Sequence, residues 1–303
     1  LKAKKLEGEP MIETAVYARP PVKSLGGKRK LLSEIFSVLI QPATSSTYHE
    51  PFLGGGAVYF DMVTRYGSRC KMRLADSNLA LIATYKVIRD DVELLIERMN
   101  DPKNDGWYKN TDKSFKRIRE VFNELMDAVS RRSDPLLRWR RIALAHNFLY
   151  LNKTAFNGLW RVNSSGHFNV PFGRYDNPTI CDAENLRACS RALQGAKLYA
   201  KDFATTPVKP GDTVYCDSPY IPINGTSNFV GYTKEGFGMA DHIRLRDKAL
   251  EWKNLGAFVL LSNSDTPVTR ELYRGWRVKE VQAARAVNSK GDKRGKVGEL
   301  LIY

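Results

Sequence analysis

Asp217-Ser218-Pro219-Tyr220 closes the apolar run Thr213-Val214-Tyr215-Cys216, which sets a carboxylate, a stiffened backbone and an aromatic ring at the end of a strand. The exocyclic amine of adenine is a poor nucleophile because its lone pair is delocalised into the ring. A carboxylate and a backbone carbonyl that accept its two N–H bonds push the nitrogen toward a tetrahedral, nucleophilic state. Asp217 and the Ser218 carbonyl are candidates for those two acceptors. Pro219 keeps Ser218 extended and so aims the carbonyl, and Tyr220 offers a face for a flipped base. Taken alone, the same four residues also read as an ordinary strand-end turn.

A second run supplies the other half of a reaction. Pro51-Phe52-Leu53-Gly54-Gly55-Gly56 is a glycine turn after a strand, where backbone can approach a ligand closely. Asp76, at the end of the next strand, follows Gly54 at a spacing that lets a carboxylate reach a ribose diol. The run is not a GxGxxG phosphate cradle, so a small nucleoside cofactor fits at least as well as a dinucleotide. Gly26-Gly27-Lys28 opens an expected helix from Leu31 to Leu39, where a lysine can meet a carboxylate or simply sit in a charged first turn. Together these runs point to a methyl donor facing a nucleobase.

The elements that must position these groups follow from periodicity. Strand-like runs recur at Thr47 to Leu53, Lys71 to Asp76, Ala196 to Asp202, Thr213 to Asp217 and Ala257 to Asn263, most of them followed by helical spacing. That alternation predicts an α/β fold with a parallel, doubly wound sheet, with further strands at Trp276 to Gln282 and Glu299 to Tyr303. Between the second and third strands, apolar residues from Leu81 to Met99, Phe115 to Val129 and about Pro135 to Leu151 fall at helical spacing and predict a helical insertion outside the sheet. Asn157 to Tyr175 is rich in Gly, Asn, Pro and aromatics, and Asn163-Ser164-Ser165-Gly166 reads as the turn of a hairpin presented by that insertion. The expected division is residues 11–79 with 191–303 as one domain and 80–190 as another, with 1–10 as a flexible leader or cloning remnant.

Composition narrows the partner. At 303 residues and 43% hydrophobic content the chain can bury a full core. A formal net charge of +15 favours a large or repeated anion, nucleic acid first. No run approaches the roughly 18 apolar residues of a membrane span, and Leu1 to Pro10 is too polar for a secretion signal. Cys70, Cys181, Cys189 and Cys216 form no CxxC pair and the histidines lack ligand spacing, so a reducing, cytoplasmic setting and no metal are expected. His146 reads as a packed helix residue. Arg131, Arg132, Arg138, Arg140 and Arg141 read as a solvated face, and the basic stretch Arg285 to Lys296 as the better phosphate-contact candidate.

From Val22 to Tyr303 the chain resembles the Dam-type adenine-N6 DNA methyltransferases, of the D12 class, which use S-adenosylmethionine. The resemblance is carried by Gly26-Gly27-Lys28, Glu50 to Gly56, Leu74-Ala75-Asp76, Tyr150 to Arg161, Phe168 to Tyr175, Asp202-Phe203, the Asp217 run, Ser262-Asn263 and Arg294 to Tyr303. It implies a Rossmann-like class I methyltransferase sheet with an inserted helical target-recognition domain that carries a β-hairpin. Lys28 would then contact the donor's carboxylate, Phe52, Gly54, Gly55 and Gly56 would wall its pocket, Asp76 would bind its ribose, and Asp202 and Phe203 would sit at its adenine. In the hairpin, Arg161 would read a guanine edge, Leu159 and Pro171 would touch bases, and Lys23 with Tyr175 would read an outer pair. Phe156 and Asn157 would border the gap left by the extruded adenine, and Lys153, Arg174 and Arg294 complete the expected DNA contacts. The implied partner is double-stranded DNA, bound by a monomer, and the implied site is GATC. Two positions depart from the family pattern: Ser218 stands where proline is usual, and Ser24 where an aromatic often covers the donor. Other readings are RNA or cytosine N4 as acceptor, or a catalytically impaired DNA-binding protein on the same scaffold. The hairpin argues against RNA, and Asp at position 217 against cytosine.

Overall fold

The structure, a computed structural model, describes residues 17–24, 28–104, 108–130, 138–222, 237–284 and 296–303. Its strands are β1 (Thr47–Glu50), β2 (Lys71–Asp76), β3 (Lys197–Ala200), β4 (Thr213–Cys216), β5 (Phe258–Ser264), β6 (Val278–Ala284) and β7 (Lys296–Ile302), in the spatial order β3-β2-β1-β4-β5-β7-β6. The first five run parallel, and β4 is buried along its whole length, as the unbroken apolar run requires of a strand covered on both faces. β1 is shorter than the strand-like run Thr47 to Leu53 and stops before Pro51, which has no N–H for the ladder.

The parallel part of the expected sheet is β1 to β5; of the two further strands, β7 runs antiparallel to both β5 and β6. Strands so close in sequence as β6 and β7 pair antiparallel, because a parallel crossover needs about a dozen or more residues, usually with a helix. The reversal brings the start of β7 to the edge where β4 and β5 end, since Ser264 at the end of β5 pairs with Glu299. That edge also carries the turn after β1 and Asp76 at the end of β2.

The helices are α1 (Leu32–Phe36), α2 (Ala57–Tyr66), α3 (Leu79–Asp90), α4 (Val92–Asn100), α5 (Asp112–Ser130), α6 (Arg138–Thr154), α7 (Ala183–Leu193), α8 (Met239–Asn254) and α9 (Pro267–Leu272). The helical run read from Leu81 to Met99 is two helices, broken at Asp91, whose φ of −136° and ψ of 32° are not helical. α3 packs on β2 and β3 as well as on α6 and α7, so the first helix of the expected insertion also covers the sheet. Apolar residues on nearly every side of it are buried. One continuous core therefore joins Tyr48 and Leu74 of the sheet to Phe115, Phe122 and Phe148 of the helical region. His146 stacks on Tyr108 with centroids 3.7 Å apart, and burial pushes its imidazole down to about 3, as a packed neutral residue.

The segment after α6 forms an irregular hairpin with two isolated bridges, Ala155 to Phe172 and Val162 to Phe168. Asn163 closes its tip by accepting from the Ser165 and His167 N–H groups, both at 3.0 Å. α5 holds it through Asn123, which bonds the Phe168 N–H at 2.8 Å and carbonyl at 3.2 Å, and Trp160 packs among Phe122, Phe148 and Phe168. No described helix is long and apolar enough to cross a membrane.

Candidate active site

Asp217 is the first residue beyond β4, with its side chain 27% exposed. The Lys28 ammonium, on the short turn Lys28–Lys30 before α1, lies 2.9 Å from Asp217 Oδ1 and is itself only 4% exposed. It also sits 4.5 Å from the centroid of the Tyr220 ring. Burial pushes the Asp217 carboxyl up and Lys28 opposes that shift. Beyond Asp217 the chain is pinned: the Ile221 N–H donates to Asn263 Oδ1 at 3.0 Å, and Ser264 Oγ donates to the Ile221 carbonyl. Ser218 is 4% exposed. The Tyr220 phenol donates to Glu299 Oε2 at 2.8 Å.

Glu50 lies behind this cluster at the end of β1, 2% exposed, and accepts from the Tyr48 phenol at 2.8 Å. Burial pushes its carboxyl up to about 8; the Tyr48 bond opposes the rise and the Asp217 charge adds to it. A protonated Glu50 at neutral pH avoids a second buried anion beside Asp217.

The glycine turn is locked to β2. Gly54 and Gly56 have φ of +47° and +72°, a region that disfavours any side chain. Asp76 accepts from the Gly54 N–H with Oδ2 at 3.0 Å and from the Asn78 N–H with Oδ1 at 2.9 Å, and the Tyr85 phenol donates to the Gly54 carbonyl at 3.1 Å. Burial pushes the Asp76 carboxyl up, and its two N–H partners oppose the shift. A Cβ on Gly55 would lie 3.3 Å from Ser24 Cβ, so the chain before Lys28 closes one side of the turn.

On the other side, Phe52 stacks on Phe203 at 5.2 Å and 28°, and Phe237 meets it edge-on at 5.8 Å. Arg244 lies 4.5 Å over the Phe203 ring and grips Asp202 with bonds of 3.1 and 2.9 Å. An aromatic wall, a carboxylate beside a glycine turn and a buried lysine form a donor set that suits a nucleoside carrying an amino-acid tail. No sequence motif pointed to Phe237 or Arg244, which reach this wall from α8 and the residues before it. Glu299 lay within the resembling stretch, yet its contact with Tyr220 depends on the direction of β7. Among the described residues no group of three or more His, Cys, Asp or Glu is placed to hold a metal ion.

The expected DNA-contact residues fall in two places. Lys23, Lys153, Asn157 and Tyr175 meet: Lys23 Nζ donates to the Lys153 carbonyl at 3.0 Å and lies 4.0 Å over the Tyr175 ring, whose hydroxyl accepts from the Asn157 N–H at 2.9 Å. The close approach needs Gly158, where a Cβ would lie 2.5 Å from Lys23 Cβ. Burial and the neighbouring Lys23 push the Lys153 ammonium down. Phe156 beside them is 50% exposed, and its N–H donates to the Pro171 carbonyl at 2.9 Å. Arg161 stands apart on the hairpin, exposed, its Nε donating to Asn169 Oδ1 at 2.8 Å. Leu159 is half-buried, and Pro171 and Arg174 are exposed. Arg294, Gly26, Gly27, Arg131, Arg132, most of the basic stretch 285–296 and residues 1–10 lie outside the described residues.

Residues 24–287 match the family described as D12 class N6 adenine-specific DNA methyltransferase. The type II methyltransferase M.MjaIII of Methanocaldococcus jannaschii is 38% identical over 94% of this chain and 98% of its own length. The type II methyltransferase M1.LlaDCHI of Lactococcus lactis subsp. cremoris is 35% identical over 95% of each chain. The DNA adenine methylase of Escherichia coli K12 is 33% identical over 92% of this chain and 93% of its own.

Proposed function

The chain belongs to the D12 class N6 adenine-specific DNA methyltransferases, and from that premise we propose that it moves a methyl group from S-adenosylmethionine to N6 of an adenine flipped out of duplex DNA, within GATC. The observation that carries this reading is the pinned run from Asp217 to Tyr220, with a carboxylate and a ring fixed at the edge that also holds the glycine turn. S-Adenosylmethionine, when bound, supplies a methyl group already activated on a sulfonium. Phe52, Gly54, Gly55, Gly56, Asp76, Asp202, Phe203 and Lys28 hold that donor in this reading. Asp217 accepts one N6 N–H and the Ser218 carbonyl the other, which localises the nitrogen lone pair, and Asp217 then takes the proton that N6 must lose. Lys28 favours the charged form of Asp217 against the cost of burial. The restraint that proline would bring at position 218 is supplied by the burial of Ser218, by Pro219 and by the anchoring of Ile221.

Residues 80–190 serve as the recognition domain. Arg161, Leu159 and Pro171 read bases from the hairpin, Lys23 and Tyr175 read an outer pair, and Phe156 with Asn157 borders the vacated stack, a role that suits a half-exposed aromatic. Lys153, Arg174 and Arg294 contact the DNA around them. The reading carries with it a cytoplasmic enzyme acting as a monomer. Labelled methyl from S-adenosylmethionine should enter duplexes with GATC and not duplexes without it, and nucleoside analysis should return N6-methyladenine. Tight DNA binding with no incorporation into any duplex would favour a non-catalytic binder instead.

A further inference from the structure

β7 is the strand whose direction departs from the rest of the sheet, and that departure has a chemical effect. Because β5 runs with β4 and β7 runs against β5, the first residues of β7 lie where β4 delivers Asp217. Glu299 pairs in register with Ser264 on one side and Val281 on the other. The approach of the strands is close there: the Asp265 N–H donates to the Gly298 carbonyl at 2.9 Å, and a Cβ on Gly298 would lie 3.0 Å from Asp265 Cβ. From this fixed backbone Glu299 accepts the Tyr220 phenol at 2.8 Å. Its carboxyl is pushed up by burial, with the Lys28 charge and the phenol opposing the shift and the Asp217 charge adding to it.

We propose that Glu299 is a positioning residue for methyl transfer, holding the far end of the Tyr220 side chain so that the ring presents a fixed face to the extruded adenine. The proposal rests on the reading above, in which that ring stacks on the base. A tyrosine fixed at the backbone alone keeps its side-chain torsions. Bonded at the hydroxyl as well, it is pre-organised, and a misplacement of about 1 Å at a reacting base is costly. Without Glu299 the half-buried phenol loses one charge-assisted bond. The loss should appear in turnover and not in DNA capture, which phosphate contacts dominate.

The test uses the full chain on a duplex with one GATC, comparing kcat and KM for DNA in Glu299→Ala, Glu299→Gln, Tyr220→Phe and the double variant Tyr220→Phe with Glu299→Ala. Glu299→Ala and Tyr220→Phe should each lower kcat about tenfold, with KM within about threefold. The double variant should be no worse than Tyr220→Phe alone by more than about twofold, because Tyr220→Phe already removes the contact that Glu299→Ala removes. Glu299→Gln should recover to within about threefold of the intact chain, since its carbonyl can accept the same phenol. A kcat for Glu299→Ala within about twofold of the intact chain, or losses that multiply in the double variant, would overturn the proposal. If Glu299→Ala does not fold, the contrast of a damaged Tyr220→Phe with a nearly intact Glu299→Gln supports it, and equal losses in those two overturn it. An intact chain with no transfer would remove the underlying reading and the proposal with it, whereas an active intact chain with an indifferent Glu299 removes the proposal alone.

Discussion

A carboxyl raised by burial to about 8 at Glu50 makes a statement about pH. The folded value of about 8 exceeds the ordinary value of 4.5, so between those limits the folded chain holds a proton that the unfolded chain has released. Stability therefore declines as pH rises from about 4.5 to about 8 and levels off above. Glu50→Gln removes that titration, and thermal melts should show its Tm rising relative to the intact chain across this range; parallel melting curves would contradict the assignment. The places of Asp76 at the end of β2, Asp217 just beyond β4 and Tyr220 in the turn that follows were legible in the sequence, because each lies where a strand-like run meets a turn signal. Their partners were less so. That Lys28 would bond Asp217, and Asp76 brace Gly54, depends on which loops the sheet order brings together.

At the scale of elements, the sequence marked each strand found among the described residues, because β-rich runs bounded by turn residues leave few alternatives. It did not mark direction at β7 or the break at Asp91, since periodicity continues through a one-residue kink. The hairpin was legible as a turn, but not as a ribbon with isolated bridges held by α5 through Asn123. Its function should be separable from its fold. Arg161 is exposed and bonds the Asn169 side chain and carbonyl, so Arg161→Ala should leave the melting temperature nearly unchanged. It should also relax discrimination at one base pair by about 1–3 kcal/mol, measured as relative kcat/KM on duplexes altered one pair at a time. Unchanged site preference would remove the hairpin from base reading.

The whole molecule joins a basic sequence to two hydrophobic clusters, one running from the sheet into the helical region and the other, around Trp252 and Leu245, between the sheet and α8. A net charge of +15 predicts DNA binding that weakens steeply with salt. For about six phosphate contacts the affinity should fall roughly a thousandfold between about 50 and 200 mM salt, and a flat dependence would show that the charge serves something else. In the proposed function charge accounts for capture, and the pinned edge for chemistry. The most direct measurement of that division is the single-turnover rate of N6-methyladenine formation in a one-site GATC duplex by the intact chain and by Asp217→Asn, alongside the DNA affinity of each. Product from the intact chain is expected, with a loss of about a hundredfold or more for the variant and affinity held within about tenfold. An Asp217→Asn rate within about threefold of the intact chain would contradict the account.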